Sequence, residues 1–180
     1  MKLEGFHLSL FKGNIFKELV KALFEESGYI VVAYGYEGPF SQIKNKIAQI
    51  ETSSPTALRI RHSPDLLVYD DKTNDIRLVE IKMSSYETRH IKRIEHYRKY
   101  WEDAVIVLVL PFENVFYAQE ISNLGIKGYY DPKSDFKRIQ DVFPRIDSSA
   151  LSEYQDVARR MIEATKQKEN ISKAPSKIPP

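Results

Sequence analysis

The sequence predicts an α/β fold in a single domain, with a central mixed β-sheet flanked by helices and a further helix at the C-terminal end. Amphipathic stretches with helical spacing lie near both ends of the chain. Between them, two apolar runs are separated by a short polar segment, and residues 104–110 form an apolar run with the length of a buried strand. A chain of 180 residues with 42% hydrophobic content can bury one sizeable core and is short for two domains.

The N-terminal part predicts a helix followed by a strand. Apolar side chains recur at helical spacing over residues 15–24, and Gly28 follows as a helix stop. Residues 29–36, YIVVAYGY, are rich in β-branched and aromatic side chains, which is typical of a strand. We interpret residues 37–63 as an elaboration of the fold, in which SQIKNKIAQI is compatible with a short helix, TSSPTA is loop-like and LRIRH turns extended.

The middle of the chain predicts a β-hairpin. Two apolar runs, PDLLVY at 64–69 and IRLVEIK at 76–82, are separated by the polar residues 70–75. Neither run has a purely polar face, which is how strands look when helices cover both sides of their sheet. We therefore expect this hairpin in the interior of the sheet.

The second half continues the alternation of helices and strands. We expect a helix over residues 87–101, a buried strand over 104–110, strands near 114–117 and 126–130, and a last helix over about 149–166. Residues 1–166 are accordingly assigned to the domain. Residues 167–180 are polar and dotted with lysine, and we expect them to form a disordered tail.

Composition excludes several classes of function. The net charge is only +2, so a basic surface for a polyanion must be local. Because the chain has no cysteine, disulfides, thiolate metal sites and cysteine nucleophiles are excluded. The longest apolar run is far shorter than the roughly 20 residues of a membrane-spanning helix, and the first residues lack a signal-peptide pattern. We expect a soluble, cytoplasmic protein.

The predicted hairpin brings two carboxylates and a lysine together. Alternation along a strand places Glu80 and Lys82 on one face and turns Ile81 to the other. If Asp65 pairs opposite Glu80, the loop closes around residues 72–73, and the two carboxylates leave adjacent strands on the same side, with Cβ atoms roughly 4.5–5.5 Å apart. Carboxylates this close repel each other unless a cation lies between them. Oxygen ligands favour a hard cation, so we expect Mg²⁺, with Mn²⁺ able to substitute.

This arrangement suits hydrolysis of a phosphate ester. A metal ion lowers the pKa of a bound water and neutralises charge on phosphate oxygens, and the adjacent ammonium of Lys82 can orient or polarise the attacking water. Plainer readings remain, in which Asp65 is a turn residue after proline, and Glu80 and Lys82 form an ion pair at a solvated strand end. The convergence of two acids and a lysine within apolar strands favours the metal site.

The motif PD, fourteen intervening residues and the motif EIK resemble the signature of the PD-(D/E)XK nuclease superfamily. The order of predicted elements over about residues 15–110 is similar to the common core of that superfamily, a restriction-endonuclease-like fold. The resemblance implies that Asp65, Glu80 and the Ile81 carbonyl are metal ligands and that Lys82 positions the attacking water.

Two further stretches bear on the branch of the superfamily. FKELVKALFEESGYIVV is similar to the first helix of archaeal Holliday junction resolvases and Mrr-type restriction enzymes, in which a helical glutamate reaches the metal site. Glu18 occupies that position, so the resemblance implies an additional or water-mediated ligand; a glutamate at the solvent edge of a helix is the alternative. Exonuclease-like branches often carry Gln-x-x-x-Tyr on the helix after the lysine, where this chain has Arg93 and Tyr97. This departure favours a resolvase-like or restriction-like enzyme.

Basic side chains near the site are candidates for binding a phosphate backbone. Arg59, Arg61 and His62 lead directly into Asp65, and those that face the cleft can reach a substrate phosphate. Pairing with acids across strands, and a hydrogen-bonded loop histidine, are the alternatives. A second set lies along one side of the next helix, for which a solvated helix face is the alternative: Arg89, Lys92 and Arg93, with His96 and Lys99.

These observations predict a Mg²⁺-dependent DNA endonuclease that hydrolyses phosphodiester bonds by metal-assisted attack of water. Its expected partner is nucleic acid, DNA in the first place, with no membrane partner and a homodimer left open. Two alternatives remain. One is a module of the same fold that binds nucleic acid or protein through a catalytically silent site, and the other is an RNA-processing nuclease, since this chemistry does not select the sugar.

Overall fold

A computed structural model describes residues 3–35, 54–84, 94–125 and 130–172. Within these residues a six-stranded mixed sheet is flanked by helices, and a long helix follows at the C-terminal end, so the predicted α/β fold is confirmed. The helices are α1 (Leu3–Glu26), α2 (Pro55–Arg61), α3 (Ile94–Tyr100), α4 (Pro132–Asp135), α5 (Ile139–Val142) and α6 (Ser148–Ser172). The strands are β1 (Ile30–Ala33), β2 (Leu66–Asp70), β3 (Asp75–Met83), β4 (Val105–Leu110), β5 (Val115–Glu120) and β6 (Lys137–Arg138).

The strands are ordered in the sheet as they are in the chain, from β1 to β6. Neighbours are antiparallel except β3 and β4, which are parallel and therefore need a crossover connection. The β2–β3 register pairs Leu66 with Val79 and Asp70 with Asp75. Continued by one step, that register would put Asp65 opposite Glu80, the pairing on which the expected site depends, and the turn is centred on residues 72–73.

Helices cover both faces of the sheet, and β4 shows why its sequence is apolar throughout. Its residues 105, 107 and 109 point into one core, which α1 and α6 cover. Its residues 106, 108 and 110 point into a second core, to which α3 contributes Ile94 and Tyr97. Every residue of β4 is buried, so the prediction of a buried strand at 104–110 is confirmed.

One segment differs from the sequence prediction. LRIRH was expected to turn extended, but its residues up to Arg61 belong to α2. The Ser54 side chain accepts a hydrogen bond from the Ala57 amide at 3.3 Å, and Pro55 occupies the first turn of the helix. Serine before proline is a helix-start signal, and this capping accounts for a helix where an extended chain was expected.

Other boundaries are extended or lie outside the described residues. The last helix continues past the expected end at residue 166 to Ser172, so residues 167–172 of the predicted tail are helical. The helix proposed within SQIKNKIAQI, residues 87–93 of the predicted third helix and the strand near 126–129 lie outside the described residues. Among the residues that the structure covers, no helix is both long and apolar enough to cross a membrane.

Candidate metal centre

Asp65 is held at the start of β2 by contacts to both its backbone and its side chain. Its carbonyl accepts hydrogen bonds from the amides of Tyr34 at 2.9 Å and Gly35 at 3.0 Å. Gly35 lies so close that a Cβ there would be 3.4 Å from the Asp65 Cα. The Asp65 Oδ2 accepts a hydrogen bond of 2.9 Å from the amide of Ile81 on β3. The carboxylate is therefore fixed between the two strands. The residue is buried, with 9% of its surface exposed.

Glu80 lies in the interior of the sheet and is 3% exposed. Its Oε1 accepts hydrogen bonds from the Tyr97 hydroxyl at 2.6 Å and from the Lys82 ammonium. Its Oε2 is buried and has no hydrogen-bond partner among the described residues; we call this atom the open oxygen. Burial raises the pKa of the Glu80 carboxyl to about 7, the charge of Asp65 adds to the rise, and Lys82 and Tyr97 oppose it.

Lys82 is oriented by two partners at once. Its Nζ donates to Glu80 Oε1 and to the Tyr97 hydroxyl at 3.3 Å, and it lies 4.9 Å from the centre of the Tyr97 ring. The side chain is 32% exposed, so the ammonium reaches solvent while it is bonded to the buried acid.

Helix α1 contributes a lysine to the site. The Lys17 Nζ lies 2.6 Å from Asp65 Oδ1, and its side chain is 34% exposed. Glu18, for which a ligand role was predicted, is exposed, and one residue corresponds to about 100° around a helix, so it points elsewhere than Lys17. Lys17 could have been recognised from helical spacing, since the fully buried Val20 and Phe24 share its side of the helix at positions i+3 and i+7.

The residues present suit a hard cation that needs only a few protein ligands. Across the described parts of the chain, no three histidine or acidic side chains converge as a metal cluster. The candidate donors are Asp65 and Glu80, and Mg²⁺ typically takes one or two carboxylates while keeping several waters. The open oxygen fits such an ion because it is a buried carboxylate oxygen with lone pairs to donate. The predicted ligand role of the Ile81 carbonyl stays a prediction; the Ile81 amide binds Asp65.

Only some of the candidate nucleic-acid-binding residues lie among the described residues. Arg59 and Arg61 are exposed on α2, and the Arg59 guanidinium lies 4.8 Å from the centre of the Trp101 ring. His62 ends α2 and stacks on Tyr100, with the ring centres 6.3 Å apart and the planes 4° from parallel. The role of His62 stays a prediction. The positions of Arg89, Lys92 and Arg93 lie outside the described residues.

The aromatic ring that links these groups is Tyr97, whose role the sequence did not assign. Its hydroxyl binds Glu80, and its ring lies edge-on to His62 with centres 6.3 Å apart. The end of α2 is thereby connected to the carboxylate through one side chain of α3. Comparison with known proteins adds no relative: no family model, no curated protein and no solved structure matches this chain. Membership of the PD-(D/E)XK superfamily stays a prediction.

Proposed function

We propose that this protein is a metal-dependent nuclease that hydrolyses phosphodiester bonds, acting as a DNA endonuclease with Mg²⁺, or Mn²⁺ in its place. The observation that carries the proposal is the open oxygen of Glu80. Glu80 lies on β3, the strand that pairs with β2 beside Asp65, and Lys82 follows it two residues later on the same strand. A cytoplasmic location is part of the same proposal.

A purely structural ion pair explains this arrangement poorly. A buried carboxylate oxygen without a partner is costly, and structural acids in protein interiors are normally satisfied at both oxygens. The Asp65 carboxylate increases that cost, because its charge contributes to the raised pKa of Glu80. A cation between the two acids would remove the repulsion and give the open oxygen a ligand bond.

The residues divide the work of hydrolysis between them. Asp65 and Glu80 would hold the metal ion, which would supply a water of lowered pKa and a positive charge for the phosphate. Tyr97 donates to Glu80 Oε1 and leaves the open oxygen as the atom that would bind the ion. Lys82 would orient the attacking water by an N–H···O hydrogen bond. As the water oxygen bonds to phosphorus, its proton passes to solvent, the bond to the leaving oxygen breaks, and that oxygen takes up a proton from solvent.

The test is cleavage of end-labelled duplex DNA, single-stranded DNA, branched DNA and RNA, each with Mg²⁺, Mn²⁺ or EDTA. We expect cleavage of DNA with either metal, none with EDTA, and none by Glu80→Gln purified in parallel, which controls for contaminating nucleases. Preference for branched over linear duplex would indicate a resolvase-like enzyme. Cleavage of RNA alone would replace DNA with RNA as the substrate. Binding in Ca²⁺ without cleavage in any metal would refute the nuclease and leave a binding module.

A further inference from the structure

The two acids of the candidate centre have different numbers of partners. Asp65 uses both oxygens, since Oδ2 accepts from the Ile81 amide and Oδ1 is paired with the Lys17 ammonium. Glu80 uses only Oε1 and leaves the open oxygen. A metal ion shared by the two carboxylates would therefore find one ligand atom available and the other already held by a cation.

The two contacts of Asp65 differ in how readily they can be given up. The amide of Ile81 belongs to the backbone of β3, which pairs with β4 from Val79 to Met83, so it stays in place. The ammonium of Lys17 ends a flexible four-carbon chain, and its side chain is 34% exposed, so it can move into solvent without disturbing the core. If the Lys17 ammonium leaves, Asp65 Oδ1 becomes available while the carboxylate remains anchored through Oδ2.

We propose that Lys17 is a tethered counter-ion that competes with the metal ion for Asp65 Oδ1. Without metal, its ammonium neutralises the buried Asp65; when metal binds, the ammonium yields Oδ1 and turns to solvent. This inference rests on the proposed metal centre and assigns Lys17 a positioning role. Lys17 thereby lowers the affinity for the metal while holding Asp65 in its ligand geometry.

The test is calorimetric titration of Mn²⁺ into the wild type, Lys17→Met and Lys17→Gln. Removal of the competing charge should tighten Mn²⁺ binding by about tenfold, the low end of the effect of a neighbouring opposite charge because Lys17 is partly exposed. Lys17→Gln retains a hydrogen-bond donor for Asp65, so it provides a folded test if Lys17→Met is unstable. Lys17→Arg keeps the charge and should bind Mn²⁺ as the wild type does.

Lys21→Met is the matched control. Lys21 lies one turn further along α1 with a side chain 30% exposed, and it is paired with Glu25 at 3.8 Å. Its replacement should leave the Mn²⁺ affinity unchanged, which separates local competition from a general loss of positive charge. Chemical unfolding in EDTA should show that Lys17→Met destabilises the metal-free protein more than Lys21→Met does, because it leaves Asp65 without its counter-ion.

The outcomes separate this inference from the proposed function. If the wild type binds Mn²⁺ and loses it on Asp65→Asn, but neither Lys17→Met nor Lys17→Gln binds more tightly than Lys21→Met, the metal centre stands and the competition by Lys17 is refuted. If no variant and no wild type binds Mn²⁺, the metal centre itself is refuted, and the inference with it.

Discussion

The two ends of the β2–β3 hairpin both hold buried acids, and the acids differ in how completely their carboxylates are hydrogen-bonded. At the turn end, Asp70 is 8% exposed, and its Oδ1 accepts from Arg145 Nη1 at 2.7 Å and from the Lys72 amide at 3.0 Å. The same guanidinium nitrogen lies 2.6 Å from Asp71. At the other end, Glu80 is buried more deeply and retains the open oxygen.

The pKa values of the two acids move in opposite directions. Burial raises the pKa of the Asp70 carboxyl, but hydrogen bonds from Arg145, from the Lys72 amide and from Thr73 outweigh it, so the net pKa lies below its ordinary value. At Glu80, burial and the charge of Asp65 prevail over Lys82 and Tyr97 and raise the pKa to about 7. The turn end is a completed ion pair, whereas the far end favours the arrival of positive charge. The turn end is therefore a structural ion pair, and the far end is where we propose the metal centre.

The largest expected effect is the loss of metal binding at one end only. Asp65→Ala and Glu80→Ala should each abolish binding of Mn²⁺. Neither should unfold the protein, because removal of either acid ends the repulsion between the two carboxylates. Asp70→Ala should bind Mn²⁺ as the wild type does but unfold at lower urea concentration, since Arg145 loses its buried partner. Calorimetry and urea titration of the three variants measure this contrast. Unchanged Mn²⁺ affinity in both site variants would remove the metal centre.

The next effect concerns the lysines of the hairpin. Lys82→Ala should lower the single-turnover cleavage rate at saturating Mg²⁺ by about 10²–10³-fold, the usual loss for a transition-state contact. DNA binding in Ca²⁺ should change little. Lys82→Arg should not restore the rate, because a planar guanidinium would misplace the water. Lys72→Ala, in the exposed turn, should cleave as the wild type does. Wild-type cleavage by Lys82→Ala would refute the proposed role of the ammonium.

The raised pKa of Glu80 also predicts how stability depends on pH. Between the ordinary value of 4.5 and about 7, the folded protein holds a proton on Glu80 that the unfolded chain has released. Stability of the metal-free protein should therefore fall as pH rises through this window, by on the order of 3 kcal/mol for a shift of this size. Glu80→Gln should lack this decline. Urea unfolding in EDTA from pH 5 to pH 8 measures it, and parallel curves for the two proteins would contradict the assignment.

Asp70 should show the opposite pH dependence in the same experiment. Because its pKa is lowered in the folded state, its contribution to stability is present at neutral pH and is lost as the pH falls through the acid range. Asp70→Asn should therefore alter the acid limb of the stability curve and leave the decline between pH 5 and pH 7 as it is in the wild type.

The smallest expected effect concerns substrate binding near the site end. Arg59→Ala or Arg61→Ala should weaken binding to DNA of any sequence and reduce the slope of log affinity against log salt by about one unit per lost phosphate contact. Arg160→Ala, exposed on α6, serves as the control. If neither α2 variant changes the salt dependence, DNA follows another path, and Arg89, Lys92 and Arg93 become the candidates.

Local patterns in the sequence were sufficient for most strands of the sheet, although β6 was not predicted. The predicted hairpin of two apolar runs around residues 70–75 is confirmed, with Asp70 paired to Asp75 and Leu66 to Val79. The apolar run at 104–110 likewise required a strand covered on both faces. The helix in PTALRIR was also within reach, since Ser54 and Pro55 form a helix start that was not recognised.

Only the tertiary structure decided which side chains complete the site. Alternation and helical spacing describe one element at a time, whereas the contact of Lys17 with Asp65 depends on how α1 packs across the sheet, and that of Tyr97 with Glu80 on how α3 covers its other face. Arg145 reaches Asp70 across 75 positions of sequence for the same reason. The sequence by itself determined where the two acids and Lys82 lie. The packing of the helical layers determined which acid is neutralised and which keeps an open oxygen.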